Sequence, residues 1–136
     1  GHYYGDTGAI SGNDAAAALG EDPDRVFKTL VTVGKSKEHY VFMVPVSGEL
    51  NLKKAARAVG EKSIEMIRSK ELLPLTGYIH GGCSPIGMKK SFKTTIDVSA
   101  GNAETIFVSA GKIGYQIEIS LEDLKKVIRL QEADIV

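Results

Sequence analysis

The residues best suited to chemistry lie in one stretch, Gly77-Tyr78-Ile79-His80-Gly81-Gly82-Cys83-Ser84-Pro85-Ile86-Gly87-Met88-Lys89-Lys90. Adjacent glycines remove the side-chain barrier to close approach, so the backbone N–H groups of Gly81 and Gly82 can point at a ligand's carbonyl or phosphate. Pro85 stiffens the exit and removes one donor. The spacing is not that of a P-loop, and no dinucleotide fingerprint is present. A tight strand connection without a ligand is the plain alternative. Cys83 is the single cysteine. Its thiolate, with His80 or His39 as base, would suit attack on an ester, whereas a lone cysteine near a strand end more often fills apolar space. A zinc site on His80 and Cys83 would need His2 and His39 to converge from distant segments, so neither metal nor cofactor is expected.

Two further places draw attention. Lys28 interrupts the apolar run Val26-Phe27-Lys28-Thr29-Leu30-Val31 and shares a face with Val26 and Leu30 by period-two alternation. It is either an edge-strand lysine that deters aggregation or a cation lining a pocket, able to hold a phosphate or the negative charge developing on an ester oxygen. Ser109-Ala110-Gly111-Lys112-Ile113-Gly114 repeats the pattern of small residues with a lysine, and its plain reading is a strand connection with an exposed Lys112.

These residues need elements to hold them. A short Ala-rich helix is predicted over Asn13–Leu19, with Ser11 or Asn13 as N-cap and Gly20 as its stop. Arg25–Val33 and Tyr40–Val46 read as strands of a hairpin across the polar turn Gly34–Glu38. Asn51 caps a helix through Ala58 that Gly60 ends, and Lys62–Lys70 reads as a second helix with Ile64, Met66 and Ile67 inward. This pair is expected on one face of a sheet. After a loop over Leu72–Gly77, strands are predicted around Tyr78-Ile79, Thr94–Val98, Thr105–Ser109 and Tyr115–Ile119. Ser120 and Asp123 open a final helix with the stripe Leu121, Leu124, Val127, Ile128 and Leu130. The order predicts one α+β domain over residues 1–136, built on a mixed, mostly antiparallel, barrel-like sheet with helices around it.

The composition bounds the function. A chain of 136 residues, 43% apolar and 25% charged, is globular in character and large enough for its own core. Its longest wholly apolar run, Val41–Val46, is far too short to cross a bilayer, so no membrane role is expected. Seventeen basic and seventeen acidic residues cancel, so a nucleic-acid partner would have to be gripped locally or through a third protein. One cysteine fits a reducing compartment, and with no signal-peptide pattern at Gly1-His2-Tyr3-Tyr4 the cytoplasm is the expected location.

Taken together, Phe27-Lys28-Thr29-Leu30-Val31, Gly81-Gly82-Cys83-Ser84-Pro85-Ile86-Gly87-Met88-Lys89-Lys90, and Ser109-Ala110-Gly111-Lys112 with Gly114 and Gln116-Ile117-Glu118 closely resemble the YbaK/EbsC-type proteins. These are freestanding relatives of the bacterial prolyl-tRNA synthetase editing domain, and the similarity runs from about Gly12 to Leu130. The resemblance implies hydrolysis of a misacylated tRNA, most typically Cys-tRNA(Pro), by a single-domain protein working beside prolyl-tRNA synthetase. It implies that Lys28, Gly81 and Gly82 are the catalytic elements, with Gly81 to Pro85 forming the family's Gly-x-x-x-Pro loop. Tyr78, Cys83, Ser84, Pro85, Ser109, Gly111 and Lys112 are expected to bind the 3′ aminoacyl end. Cys83 is then no nucleophile: the thiol of the substrate's own cysteine attacks its ester carbonyl. That solves a problem of discrimination, because a pocket of cysteine's size cannot sort amino acids by sieving alone. Family members usually begin with a helix and a strand ahead of the segment matching Tyr3 to Gly12. The start of this chain therefore reads as trimmed inside that strand, with Tyr3 or Tyr4 only loosely comparable to a site tyrosine. A monomer is expected. An Ala-tRNA(Pro) deacylase of the same family, or a module that binds tRNA or nucleotides without hydrolysis, are the alternatives.

Overall fold

The computed structural model describes residues 2–3, 21–79 and 82–136. The helix predicted over Asn13–Leu19, with its caps Ser11 or Asn13 and Gly20, lies outside the described residues, as do Tyr4, His80 and Gly81. Strand β1 is His2–Tyr3. Strands β2 (Phe27–Gly34) and β3 (His39–Pro45) form the predicted hairpin, in antiparallel register from Phe27↔Pro45 to Val33↔His39. Strand β3 explains the run Val41–Val46. Its Phe42 and Val44 pack against Ala55 and Ala56, while Val41 and Met43 pack on the opposite side with Val31, Leu72 and Ile96. A strand covered on both faces has no polar face to alternate with.

Helix α1 (Leu52–Val59) begins and ends as the sequence predicts. The Asn51 side chain accepts from the Lys54 N–H, and Gly60 closes the helix at φ 75°. The next segment differs from expectation. Ile64–Met66 is a short strand, β4, paired with the end of β2, and the helix that follows, α2, spans Ser69–Thr76. The helix predicted over Lys62–Lys70 and the loop predicted over Leu72–Gly77 are therefore both corrected. Ile64 and Ile67 are spaced for a helical stripe, but Ile64 pairs with Gly34 and the Ile67 N–H reaches the Val31 carbonyl. Pro74 lies inside α2, six residues into its eight, and removes only the bond to the carbonyl of exposed Lys70. The two helices also lie on opposite faces of the sheet, α1 against Phe42 and Val44 and α2 through Leu72 against Val31 and Val41.

Strand β5 (Lys93–Asp97) runs parallel to β3. A short 3-10 helix (Val98–Asn102) leads to the hairpin of β6 (Ile106–Ser109) and β7 (Tyr115–Ile119). Helix α3 (Leu121–Val127) starts on the Ser120 cap, as predicted, but ends before Leu130. Leu130–Ala133 is instead strand β8, parallel to β5. Of the four strands predicted after α2, Tyr78-Ile79 is irregular and the other three are present.

The result is a five-stranded mixed sheet in the order β4-β2-β3-β5-β8 and a three-stranded sheet in the order β1-β7-β6. Antiparallel pairings predominate, with β3–β5 and β5–β8 parallel. The sheets meet at a bridge between Val26 and Phe107, where the Arg25 guanidinium lies over the Phe107 ring and bonds Thr105 and Glu118. Because β4 and β8 end the larger sheet at opposite edges without pairing, the predicted barrel-like sheet does not close. Among the described residues no helix is long and apolar enough to cross a membrane.

The turn between β2 and β3 is braced from α1. The Glu61 carboxylate accepts from the Ser36 N–H at 3.1 Å, the Ser36 hydroxyl and the Tyr40 hydroxyl at 2.6 Å, and it sits where a Cβ on Gly34 would stand. Hydrogen bonds from Ser36 and then Tyr40 hold the Glu61 carboxyl below its usual value, and the bond to Glu61 pushes the Tyr40 phenol up to about 12. A depressed carboxyl stabilises the fold above its unfolded value of 4.5, and that contribution fades as the pH falls through the folded value. A raised phenol stabilises below its unfolded value of 10.0 and fades as the pH climbs towards 12. Urea midpoints measured across pH are thus expected to drop at both ends, with Glu61→Gln flattening the acid limb. An unchanged acid limb in Glu61→Gln would show that this brace does not contribute.

Candidate active site

The open edge of β2 defines the site. Val26 bridges to β6, and Thr32–Gly34 pair with β4, so among the described residues no strand pairs with the outer edge of Lys28–Leu30. Two loops close on this gap. The β6–β7 turn arrives from one side, since counting two residues along both parallel strands from the Val26–Phe107 bridge brings Lys28 level with Ser109. The glycine loop arrives from the other, with Cys83 packed against Val31, Val41 and Leu72.

The loops meet backbone to backbone. A Cβ on Gly82 would stand 3.0 Å from the Ile113 nitrogen and 3.2 Å from the Lys112 carbonyl carbon, so a larger residue would push the turn back by a few tenths of an ångström. Tyr78 is the wedge between them. Its hydroxyl donates to the Ile86 carbonyl at 2.6 Å, and its ring lies against Gly111, where at φ 101° a Cβ would come within 2.9 Å of Cε1. Ser84 shapes the exit by accepting from the Ile86 N–H at 3.1 Å around Pro85, while Ser109 accepts from the Gly111 N–H at 3.2 Å. Gly77, at φ 84°, ends α2 and turns the chain into the loop. The Thr76 carbonyl and hydroxyl then accept from the Lys89 and Tyr78 amides, tying both ends of the loop to the helix.

The expected site residues separate into three groups. Tyr78, Gly82, Cys83, Ser84, Pro85, Ser109, Gly111 and Lys112 belong to the two loops that meet here. Gly81 and His80 lie outside the described residues. Lys28 reaches the rim by register only: it pairs with Val44, so its side chain leaves on the face that α1 covers, and its Nζ lies 3.4 Å from Glu49 Oε2.

Three details depart from the expected chemistry. Gly82 to Pro85 are buried, and the Gly82 N–H donates to the Ile79 carbonyl at 3.0 Å. It therefore does not point at a ligand in this conformation. The Cys83 thiol is only 7% exposed, and burial pushes it up to about 11 against a smaller opposing effect of Thr76. It is neutral at physiological pH and a poor nucleophile. His39 is engaged with the Phe92 ring at 5.9 Å, and among the described residues no three metal-binding side chains gather. A residue that sequence reasoning passed over is Thr29. It faces the loop side of β2 opposite Met43, and its hydroxyl is buried without a hydrogen-bond partner. Its only sequence signal is its place beside Lys28.

A mixed α+β fold with two small-residue loops meeting at an open strand edge has known counterparts. The chain belongs to the aminoacyl-tRNA editing domain family, whose profile matches residues 9–127. It is 47% identical over 126 residues to an Enterococcus faecalis protein named "Putative Cys-tRNA(Pro)/Cys-tRNA(Cys) deacylase EbsC", covering 93% of this chain and 77% of that one. It is 32% identical over 103 residues to a proline–tRNA ligase of Shouchella clausii, matching 76% of this chain but 18% of the ligase. A crystal structure described as that of "a putative trans-editing enzyme for prolyl tRNA synthetase" superposes with a TM-score of 0.88 at 25% identity, over 99% of this chain and 83% of that one.

Proposed function

We propose that this chain is an aminoacyl-tRNA deacylase that hydrolyses Cys-tRNA(Pro), with the sulfur of the substrate's cysteine as nucleophile. The similarity to the Enterococcus faecalis protein supports the reaction class, and the burial of Cys83, which holds its thiol neutral, argues against a nucleophile on the protein. A site whose own thiol is unavailable calls for a nucleophile from outside the protein, and the family resemblance points to the substrate's sulfur in place of water. The substrate sulfur adds to its ester carbonyl, the bond from that carbon to the terminal ribose oxygen breaks as the oxygen takes a proton, and water then opens the resulting thiolactone to free cysteine. In this reading Lys28 stabilises the negative charge on the ester oxygen, and the glycine loop, with Gly81 and Gly82 at its head, positions the aminoacyl end against Tyr78 and the Ser109–Lys112 turn. Prolyl-tRNA synthetase is the protein partner this reading implies, and the cytoplasm its compartment.

The test is deacylation of tRNAs for proline carrying Cys, Ala, Ser or Pro. Cleavage confined to the cysteinyl ester supports substrate-thiol attack, whereas equal cleavage of the alanyl ester rejects it. Cys83→Ala is expected to keep activity within roughly tenfold, since it removes only packing against Val31, Val41 and Leu72. An acyl group trapped on Cys83, or loss of turnover in a folded Cys83→Ala protein, would return the nucleophile to the enzyme.

A further inference from the structure

We propose that the groove between the starts of β5 and β8 holds the single-stranded end of an RNA, with phosphates on Lys93 and Arg129 and a base on Phe92. This rests on the reading that the substrate is an aminoacyl-tRNA.

The two strands run parallel, with Thr94 level with Leu130, so their amino ends open at the same end of the sheet. A cavity of about 510 Å³ lies there, lined by Ser91, Phe92, Lys93, Thr94, Arg129 and Gln131 among others. Lys93 and Arg129 are exposed, and among the described residues neither has an acidic partner. Lys89 and Lys90, which lead from the glycine loop to Ser91, are likewise exposed and unpaired. Some cations near these strands are taken up, Lys54 by Asp134, Lys126 by Asp123, and Lys125 by Glu132, the acidic residue of β8, whereas Lys93 and Arg129 face the groove without such a partner among the described residues. In a chain with no net charge, Lys93 and Arg129 on the two walls of one groove, with Lys89 and Lys90 just ahead of it in sequence, make a local positive field that the overall balance does not supply.

The groove also has an aromatic wall. Phe92 is half-buried, tilted against His39, and packs on the same cluster as Cys83, with Tyr78 and Met88. It thus joins the groove to the loop proposed to hold the aminoacyl end. A basic channel beside an aromatic ring is the arrangement that takes single-stranded nucleic acid, phosphates by charge and bases by stacking. It suits the unpaired end of a tRNA better than a duplex, which hides its base faces.

The experiment measures binding of unacylated tRNA and of a short labelled single-stranded RNA to the full chain across a salt series. Lys93→Glu with Arg129→Glu is expected to weaken both by more than about tenfold at low salt, and to flatten the salt slope by roughly 1.4, two contacts at about 0.7 each. Lys93→Gln with Arg129→Gln should lie between, and Phe92→Leu should weaken the single strand several-fold by loss of stacking. The control is Lys53→Glu with Lys62→Glu, exposed lysines on and after α1, and melting curves establish that each variant is folded. Binding by Lys93→Glu with Arg129→Glu that matches wild type, or a loss equal to that of the control, overturns the groove. Because binding is read without hydrolysis, a wild-type protein that binds RNA in this way yet cleaves no ester rejects the deacylase reading and leaves the groove standing.

Discussion

Replacing Lys28 with alanine is expected to slow deacylation about a hundredfold, the loss of roughly 3 kcal/mol of charge stabilisation in the transition state, while the protein stays folded. The resemblance to the editing family motivates the first half of that expectation, and the structure bears on the second. Lys28 is the cation of β2 level with the gap, its side chain on the α1 face, while the unpartnered hydroxyl of the next residue, Thr29, is on the loop face. Its present partner, Glu49, is 90% exposed, and an ion pair of this kind contributes well under about 1 kcal/mol to stability. The alkyl stem matters more to packing than the charge does, so Lys28→Met, which keeps most of the stem, is the sharper variant. It should melt like wild type and be as slow as Lys28→Ala. Glu49→Gln frees the ammonium and should leave the rate within a few-fold. A folded Lys28→Met protein that turns over normally would remove Lys28 from the chemistry.

The second large effect is expected at Gly111. An alanine there meets two obstacles at once: φ 101°, which side chains avoid, and the Tyr78 ring 2.9 Å from the new methyl. Backbone strain of this type costs about 2 kcal/mol, or a melting point lower by roughly 6–10 °C in a chain of this size. Displacing Tyr78 also breaks its bond to Ile86, so deacylation should fall by at least about a hundredfold, the usual effect of a misplacement near 1 Å. Gly60→Ala is the matched control. It has a similar positive φ, 75°, with nothing within 4 Å of the added methyl, so it should lose stability and keep activity. Equal activity losses at Gly60 and Gly111 would mean that general instability, and not the Tyr78 wedge, is being read.

The legible parts of this fold are those specified locally. The β2–β3 hairpin, the Asn51 and Gly60 boundaries of α1 and the Ser120 cap of α3 each depend on residues within a few positions of one another. The misread parts depend on distant partners. Ile64 and Ile67 carry a helical spacing, yet the free edge of β2 draws them into a strand. Pro74 argues for a loop, yet α2 accommodates it. Leu130–Ala133 has a polar pattern of no obvious type and becomes a strand because β5 offers an edge, with Ile135 then anchored by its N–H to buried Asp97. The site divides in the same way. Residue types marked the glycine loop, Lys28 and the Ser109–Lys112 turn. Only coordinates reveal that the Gly82 amide is engaged with Ile79, that the Thr29 hydroxyl is unpartnered, and that two loops distant in sequence touch through their backbones.

The buried sulfur has a practical consequence. Because Cys83 is the single cysteine of the chain and is shielded in its protonated form, a thiol-reactive dye added to the native protein should meet almost no reactive sulfhydryl. A thiol signal from a mixture with a cysteinyl ester would then belong to the substrate's own sulfur, and capping that sulfur beforehand should block its attack on the ester. The same dye, applied while the protein alone is warmed, would colour only those molecules in which the packing of Cys83 against β2 and β3 has opened, so one reagent would report the substrate's sulfur at low temperature and unfolding at high temperature.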